Sequence, residues 1–282
     1  MPNLQKSLLL QALFVLNLVL ASRLAIADEP RPVKVWRYNS VAWYQNSAEF
    51  QLATKQAYRL AKATLEEGLN DSDWTADIPQ LEQGGFAEKK PAVILDVDET
   101  VLDNSAYQAR LVVDSSPEKP VEFDQTKWTA WVKEEQAVPI PGSLDFVLHA
   151  RRSGASVFFV TNRTEEEKES TIRNLTKFGY PARADNVLCT SPQHPSDKTS
   201  RRALIAMNHR IVLLIGDNMS DLCDGVKVND QAQRNRVAEQ RSEWLGSRWI
   251  ILPNPMYGGW EDPLKQLADP KQALRTQRQS AD

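Results

Sequence analysis

Four aspartates set the chemistry open to this 282-residue chain. Asp96 and Asp98 stand in Leu95-Asp96-Val97-Asp98-Glu99-Thr100, and Asp217 and Asp221 stand in Gly216-Asp217-Asn218-Met219-Ser220-Asp221. Each group directly follows an apolar run, as does Thr161-Asn162-Arg163, while Lys198 lies in the polar stretch Ser196-Asp197-Lys198-Thr199. Open α/β sheets bind ligands beyond the carboxyl ends of their strands, so the four carboxylates are expected to converge at one edge. Like charges that close are strongly unfavourable without a cation. Oxygen ligands with no neighbouring His or Cys suit a hard octahedral ion, so Mg²⁺ is expected at Asp96, Asp98, Asp217 and Asp221. Thr161 and Lys198 would then supply the hydroxyl and the positive charge that a bound phosphate needs on its side away from the metal. Carboxylates, metal and cation together describe a phosphoryl-transfer site.

The elements that must position these groups are legible as continuous apolar runs without alternation, the pattern of strands covered on both faces. They fall at 92–95, 156–160, 211–215 and 249–252. Helix-compatible segments lie between and around them at 46–67, 143–152, 165–178, 200–207 and 229–245, the first opening on a capping box of Asn46 and Glu49. Strands alternating with helices predict an α/β domain, a mainly parallel sheet flanked by helices. The stretch 104–141 fits that alternation poorly, carrying Tyr107, Trp128 and Trp131 among prolines and charges, and reads as a small cap inserted over the carboxyl edge of the sheet.

Composition narrows the partners. With 34 Lys and Arg against 37 Asp and Glu, and a net charge of -3, no global basic field draws the chain to a nucleic-acid polymer. Two cysteines, Cys189 and Cys223, exclude a disulfide framework and leave either one bridge or two buried thiols. His149, His194 and His209 show no ligand spacing and are expected to face solvent or to pack. At the amino terminus, Lys6 precedes an apolar run over 8–21, followed by Ala25-Ile26-Ala27 and acidic Asp28. That order describes a secretory signal peptide over residues 1–27, cleaved after Ala27. The run is shorter than the roughly 20 residues of a membrane-spanning helix. No cysteine lies beside the cleavage site, so no lipid anchor is expected. The mature domain, 28–282, is then periplasmic or secreted.

Beyond the spacing of the acidic groups, three longer segments carry a resemblance: Trp43-Tyr44-Gln45-Asn46-Ser47-Ala48-Glu49, Leu95 to Asn104, and Asn254-Pro255-Met256-Tyr257-Gly258-Gly259-Trp260-Glu261. Together with Thr161, Lys198 and the Asp217–Asp221 pair they resemble the haloacid dehalogenase (HAD) superfamily, and within it the class C bacterial acid phosphatases and lipoprotein 5'-nucleotidases of subfamily IIIB. The resemblance implies a Rossmann-like core in which Asp96 is the nucleophile that becomes an aspartyl-phosphate. It makes Asp98 the acid that protonates the leaving alcohol and then the base that activates water, which predicts an acidic optimum. It implies Mg²⁺ held by the Asp96 carboxylate, the Asp98 backbone carbonyl and Asp217, with Asp221 in support. Thr161 and Lys198 match the phosphate-binding hydroxyl and cation, with Asn162 and Arg163 as flanking candidates. It places a nucleobase or aryl ring against Tyr257, Trp131 and Tyr107, where stacking contributes about 1 to 3 kcal/mol for any ring. It further implies a homodimer.

Blander readings compete. Asp221 also suits an N-terminal helix cap, and most tryptophans serve packing. A phosphotransferase would use the same site with another acceptor, and plant storage relatives share the fold without needing catalysis. A response-regulator receiver also combines acids, Thr and Lys, but a leader and a cap-like insertion do not suit one.

Overall fold

A computed structural model describes residues 35–115, 123–193, 196–227 and 230–267. The leader expected over 1–27 and His194 lie outside them. Two helices open the described chain, α1 (Val35–Asn46) and α2 (Ala48–Asn70). The break falls one residue later than the sequence suggested: Ser47, not Asn46, caps α2 by accepting from the Phe50 amide. Asn46 ends α1 and turns its amide back to the Ala42 carbonyl, which removes it from any capping role. The short helix α3 (Ile78–Gln83) leads into β1 (Lys90–Leu95).

After β1 come β2 (Leu102–Asp103), α4 (Ser105–Val113), α5 (Gln125–Glu134) and β3 (Val138–Pro139). The antiparallel pairs Leu102–Pro139 and Asp103–Val138 close the base of this excursion. The chain then alternates α6 (Ser143–Arg152), β4 (Ser156–Thr164), a 3₁₀ turn (Glu165–Glu167), α7 (Lys168–Lys177) and β5 (Val187–Thr190). It continues with α8 (Thr199–Asn208), β6 (His209–Gly216), α9 (Met219–Leu222), α10 (Gln231–Gln240) and β7 (Trp249–Ile251).

The five long strands form one parallel sheet in the order β5-β4-β1-β6-β7. The chain builds one side through β4 and β5, then crosses back to β6 and β7, so the topological switch lies at the carboxyl end of β1, where such sheets open a crevice. Register fixes what meets there. Leu95 is level with Phe159 of β4 and with Ile215 of β6, so Asp96, Thr161 and Asp217 lie on three adjacent strands or their ends just beyond one line. Leu95, Phe159, Val212, Leu213 and Ile215 are buried, and truncating such a side chain costs about 2 to 5 kcal/mol. The central strands therefore hold the edge rigidly.

Two differences from the sequence reading have plain causes. β4 continues beyond Val160 because Thr164 still pairs with Thr190, so Thr161 sits within the strand rather than after it. β5 has only four residues, alternately buried and half-buried, which is too short and too polar to stand out as an apolar run. Cys189 and Cys223 are both buried and both free. His149 approaches Glu66 at 3.6 Å, and His209 lies edge-on to Phe158. Among the described residues no helix is long and apolar enough to cross a membrane.

Candidate active site

Three of the four aspartates converge. One carboxylate oxygen from each of Asp96, Asp217 and Asp221 lies within 4.8 Å of the others. Asp96 leaves β1 with its amide bonded to the Ile215 carbonyl at 2.9 Å, which fixes its backbone against the end of β6. Lys198, the residue before α8, is buried and touches both Asp96 Oδ1 and Asp221 Oδ1, the latter at 2.8 Å. From the far side Asn254 Nδ2 donates to Asp217 Oδ2 at 2.7 Å.

Electrostatics follow from this crowding. Burial pushes Asp96 up to about 7; Lys198 pulls against it, and the Asp221 and Asp98 charges add to it. Burial and the same repulsion hold Asp217 well above the carboxylate range. Burial would depress the Lys198 ammonium, yet Asp221 and Asp96 keep it above its ordinary value. One ammonium against three carboxylates leaves net negative charge in a low-dielectric pocket. An all-oxygen donor set of this charge fits a hard divalent cation.

Asp98 corrects the expectation that four carboxylates meet. Its Oδ1 accepts from Arg163 Nε at 3.0 Å, Arg163 Nη2 at 2.8 Å and Asn104 Nδ2 at 3.0 Å, which draws the side chain out of the cluster. Its Oδ2 takes the Thr161 hydroxyl at 3.1 Å. Thr161 thus stands beside Asp98, with its oxygen also accepting the Arg163 amide.

The β6–α9 turn explains why Gly216 precedes Asp217. Asp221 Oδ2 accepts the Asn218 amide at 3.0 Å, while the Asn218 side chain accepts from Ser220, so both ends of the turn are satisfied. Asn218, not Asp221, is the N-cap of α9; Asp221 accepts the Asn218 amide from the third helical position and belongs to the cluster as well.

Other expected residues are less central. Asn162 points outward and accepts from Arg201 Nη2 at 2.8 Å. Tyr257 is half-buried against the main core, its amide reaching Asn254 Oδ1 at 3.4 Å. Tyr107 and Trp131 are buried and packed on each other, with Tyr107 edge-on to Trp128, so neither presents a ring face to solvent. The sequence reading passed over Asn104 and Asn254 and undervalued Arg163. Asn254 had a signal, since it follows the last strand as the aspartates follow theirs.

Comparison with known proteins agrees with this geometry. A profile of the HAD superfamily, subfamily IIIB (acid phosphatase), matches residues 21–260. The class C acid phosphatase from Bacillus anthracis superposes with a TM-score of 0.68 at 31% identity, over 84% of this chain and 93% of that one. Its tungstate-bound form gives 0.69 with the same coverage. Among plant proteins, the stem 28 kDa glycoprotein of Glycine max is 30% identical over 60% of each chain. Acid phosphatase 1 of Solanum lycopersicum is 29% identical over 58% of this chain. The chain spans 60% and 57% of the lengths of those two curated relatives. Profile, fold and the convergence of Asp96, Asp217, Asp221 and Lys198 agree, and the chain belongs to the HAD superfamily, subfamily IIIB, the acid phosphatase subfamily.

Proposed function

We propose that this protein is a Mg²⁺-dependent acid phosphatase that hydrolyses small phosphomonoesters, nucleoside monophosphates and aryl phosphates among them, through an aspartyl-phosphate on Asp96. The observation that carries the reading is the cluster of buried Asp96 and Asp221 and half-buried Asp217 around Lys198 at the switch point of the sheet. A tetrahedral oxyanion such as tungstate, the ligand of the Bacillus anthracis structure, has the shape and charge of the expected group.

In this reading Asp96, Asp217 and the Asp98 carbonyl hold Mg²⁺, Asp221 supports them, and the ion when bound supplies charge to neutralise the carboxylates and the phosphoryl oxygens. Lys198 and Thr161 hold the phosphoryl group on the opposite side, with Asn162 at the rim. Asp96 attacks phosphorus. Asp98 hands a proton to the departing oxygen and takes one back from the water that hydrolyses the intermediate. The segment 104–141 acts as the cap, and Tyr257 is its ring-facing counterpart on the core. The leader pattern supports export to the periplasm or beyond, and family resemblance supports a homodimer.

The deciding experiment measures phosphate release from p-nitrophenyl phosphate and adenosine 5'-monophosphate at acidic and neutral pH, with Mg²⁺ or EDTA. Metal-dependent release, strongest at acid pH and abolished in D96N without loss of fold, is the expected result. Release unaffected by EDTA, or a fully active D96N, overturns the assignment. Adding a nucleoside acceptor and analysing products separates hydrolysis from phosphoryl transfer.

A further inference from the structure

The two oxygens of Asp98 have unlike surroundings. Oδ1 is filled by three N–H donors: Arg163 Nε, Arg163 Nη2 and Asn104 Nδ2. An oxygen facing three donors has no room for a proton of its own. Among the described residues Oδ2 meets only the Thr161 hydroxyl, a group that can donate or turn away.

The donors are themselves held. Arg163 is buried on β4, with Nη1 on Thr171 Oγ1 at 3.1 Å and its guanidinium 5.6 Å from the centre of the Trp128 ring. Asn104 Oδ1 accepts Trp131 Nε1 at 2.9 Å and Arg163 Nη2 at 3.2 Å. Indole and guanidinium nitrogens only donate, so they fix the atom they face as the amide oxygen and turn the amide nitrogen toward Asp98.

We propose that Trp131, Asn104 and Arg163 form a clamp of positioning residues that assigns the transferable proton of Asp98 to Oδ2, beside the phosphate-binding hydroxyl. The proposal rests on the acid–base role given to Asp98 above. In the first step an Asp96 oxygen lone pair forms the new P–O bond, and the ester P–O bond breaks with its pair on the leaving oxygen, which takes the Oδ2 proton. In the second step water forms the P–O bond, its proton passes to Oδ2, and the Asp96–phosphorus bond breaks. A proton on Oδ2 also frees the Thr161 hydrogen to turn to a phosphoryl oxygen. Trp131 thereby acts through its N–H, from within the inserted segment, rather than by offering a ring to the substrate.

The test uses kcat/KM over a series of phosphate esters from 2,4-dinitrophenyl through p-nitrophenyl and phenyl to ethyl phosphate, in N104A, W131F and D98N. General acid catalysis contributes about 10²- to 10⁴-fold and matters most for poor leaving groups. A misaimed acid should therefore cost about tenfold or more on ethyl phosphate and no more than about threefold on the dinitrophenyl ester. W131F keeps an aromatic ring, smaller than the indole, and loses the donor, so a stacking role would leave the slope of the series unchanged. Equal losses across the series in both N104A and W131F overturn the clamp, and steepening in D98N alone does so while leaving Asp98 as the acid. A D98N series slowed uniformly overturns the acid assignment and the proposal with it.

Discussion

Gly216 is the residue against which Asp221 packs. A Cβ built on Gly216 would lie 2.8 Å from the Asp221 carboxyl carbon, closer than real Cβ contacts occur. Asp221 cannot yield cheaply, because Oδ2 holds the Asn218 amide at 3.0 Å and Oδ1 holds Lys198 at 2.8 Å. G216A should displace Asp221 while leaving the buried sheet in place. Groups that support metal ligands are worth about 10- to 100-fold in affinity, so the Mg²⁺ concentration for half-maximal phosphate release should rise by about that factor. An unchanged metal requirement would separate Asp221 from the metal site.

Asn254 acts on Asp217 through charge. Burial and the neighbouring Asp221 and Asp96 charges raise the Asp217 carboxyl, whereas the bond from Asn254 lowers it. Removing that donor in N254A leaves only the more weakly lowering Lys198 charge against the raising influences. Protons then compete with a metal ion over a wider acid range, so Mg²⁺ binding should weaken about tenfold or more and its pH midpoint should move upward. Calorimetric titration with Mg²⁺ at several pH values reads both effects. A midpoint that stays where the wild type has it would show that Asn254 does not tune Asp217.

How much was readable beforehand depended on how local the cause was. Asp96 and Asp217 were placed because their motifs follow apolar runs, and one register line joins those runs; Lys198 was placed by residue type and by its order among the motifs. The turn of Asp98 away from the cluster was not readable. It follows from Arg163 and Asn104, one across the sheet and one beyond a tight turn, and a Val-Asp-Glu sequence does not announce them. The resemblance put a substrate ring against Trp131 and Tyr107, but the fold uses both to fill the space between α4 and α5. α1 was missed because its Trp, Tyr, Val and Ala residues lack a clean apolar stripe. Periodicity reports burial on one face and says little about a helix held by two buried side chains, Val41 and Tyr44, and by polar contacts of Arg37 and Gln45.

Glu99 is fully buried at a positive φ of 60°, with Oε1 on the Asn104 amide at 2.7 Å and Oε2 without a partner among the described residues. Burial, aided by the Asp98, Asp217 and Asp103 charges, holds its carboxyl well above the usual range. A carboxyl raised in the folded state favours folding while it stays protonated. That contribution is complete below the unfolded pKa near 4.3 and is lost as the pH climbs toward the folded value. E99Q keeps the acceptor and cannot ionise. In EDTA it should therefore match the wild type near pH 4 and melt at higher temperature near pH 8, as followed by thermal unfolding monitored by circular dichroism. A constant difference between the two proteins at every pH would rule out ionisation of Glu99 as its source.

Arg37 on α1 meets Glu261 across the molecule, with Nη2 3.1 Å from both carboxylate oxygens and both side chains buried. Glu261 also closes a turn by donating its amide to the Gly258 carbonyl at 3.0 Å, so the ion pair fastens the segment that carries Tyr257. Breaking a buried pair by removing one partner leaves an uncompensated charge and costs about 3 to 5 kcal/mol, whereas replacing both partners by apolar groups often costs little. R37M should lose stability of that order in urea unfolding, and R37M/E261M should recover much of it. If Tyr257 receives the substrate ring, R37M should also raise KM for p-nitrophenyl phosphate more than it lowers kcat, because the chemistry at Asp96 is untouched. A double variant no more stable than R37M would mean that packing of α1, and not the charge left on Glu261, accounts for the loss.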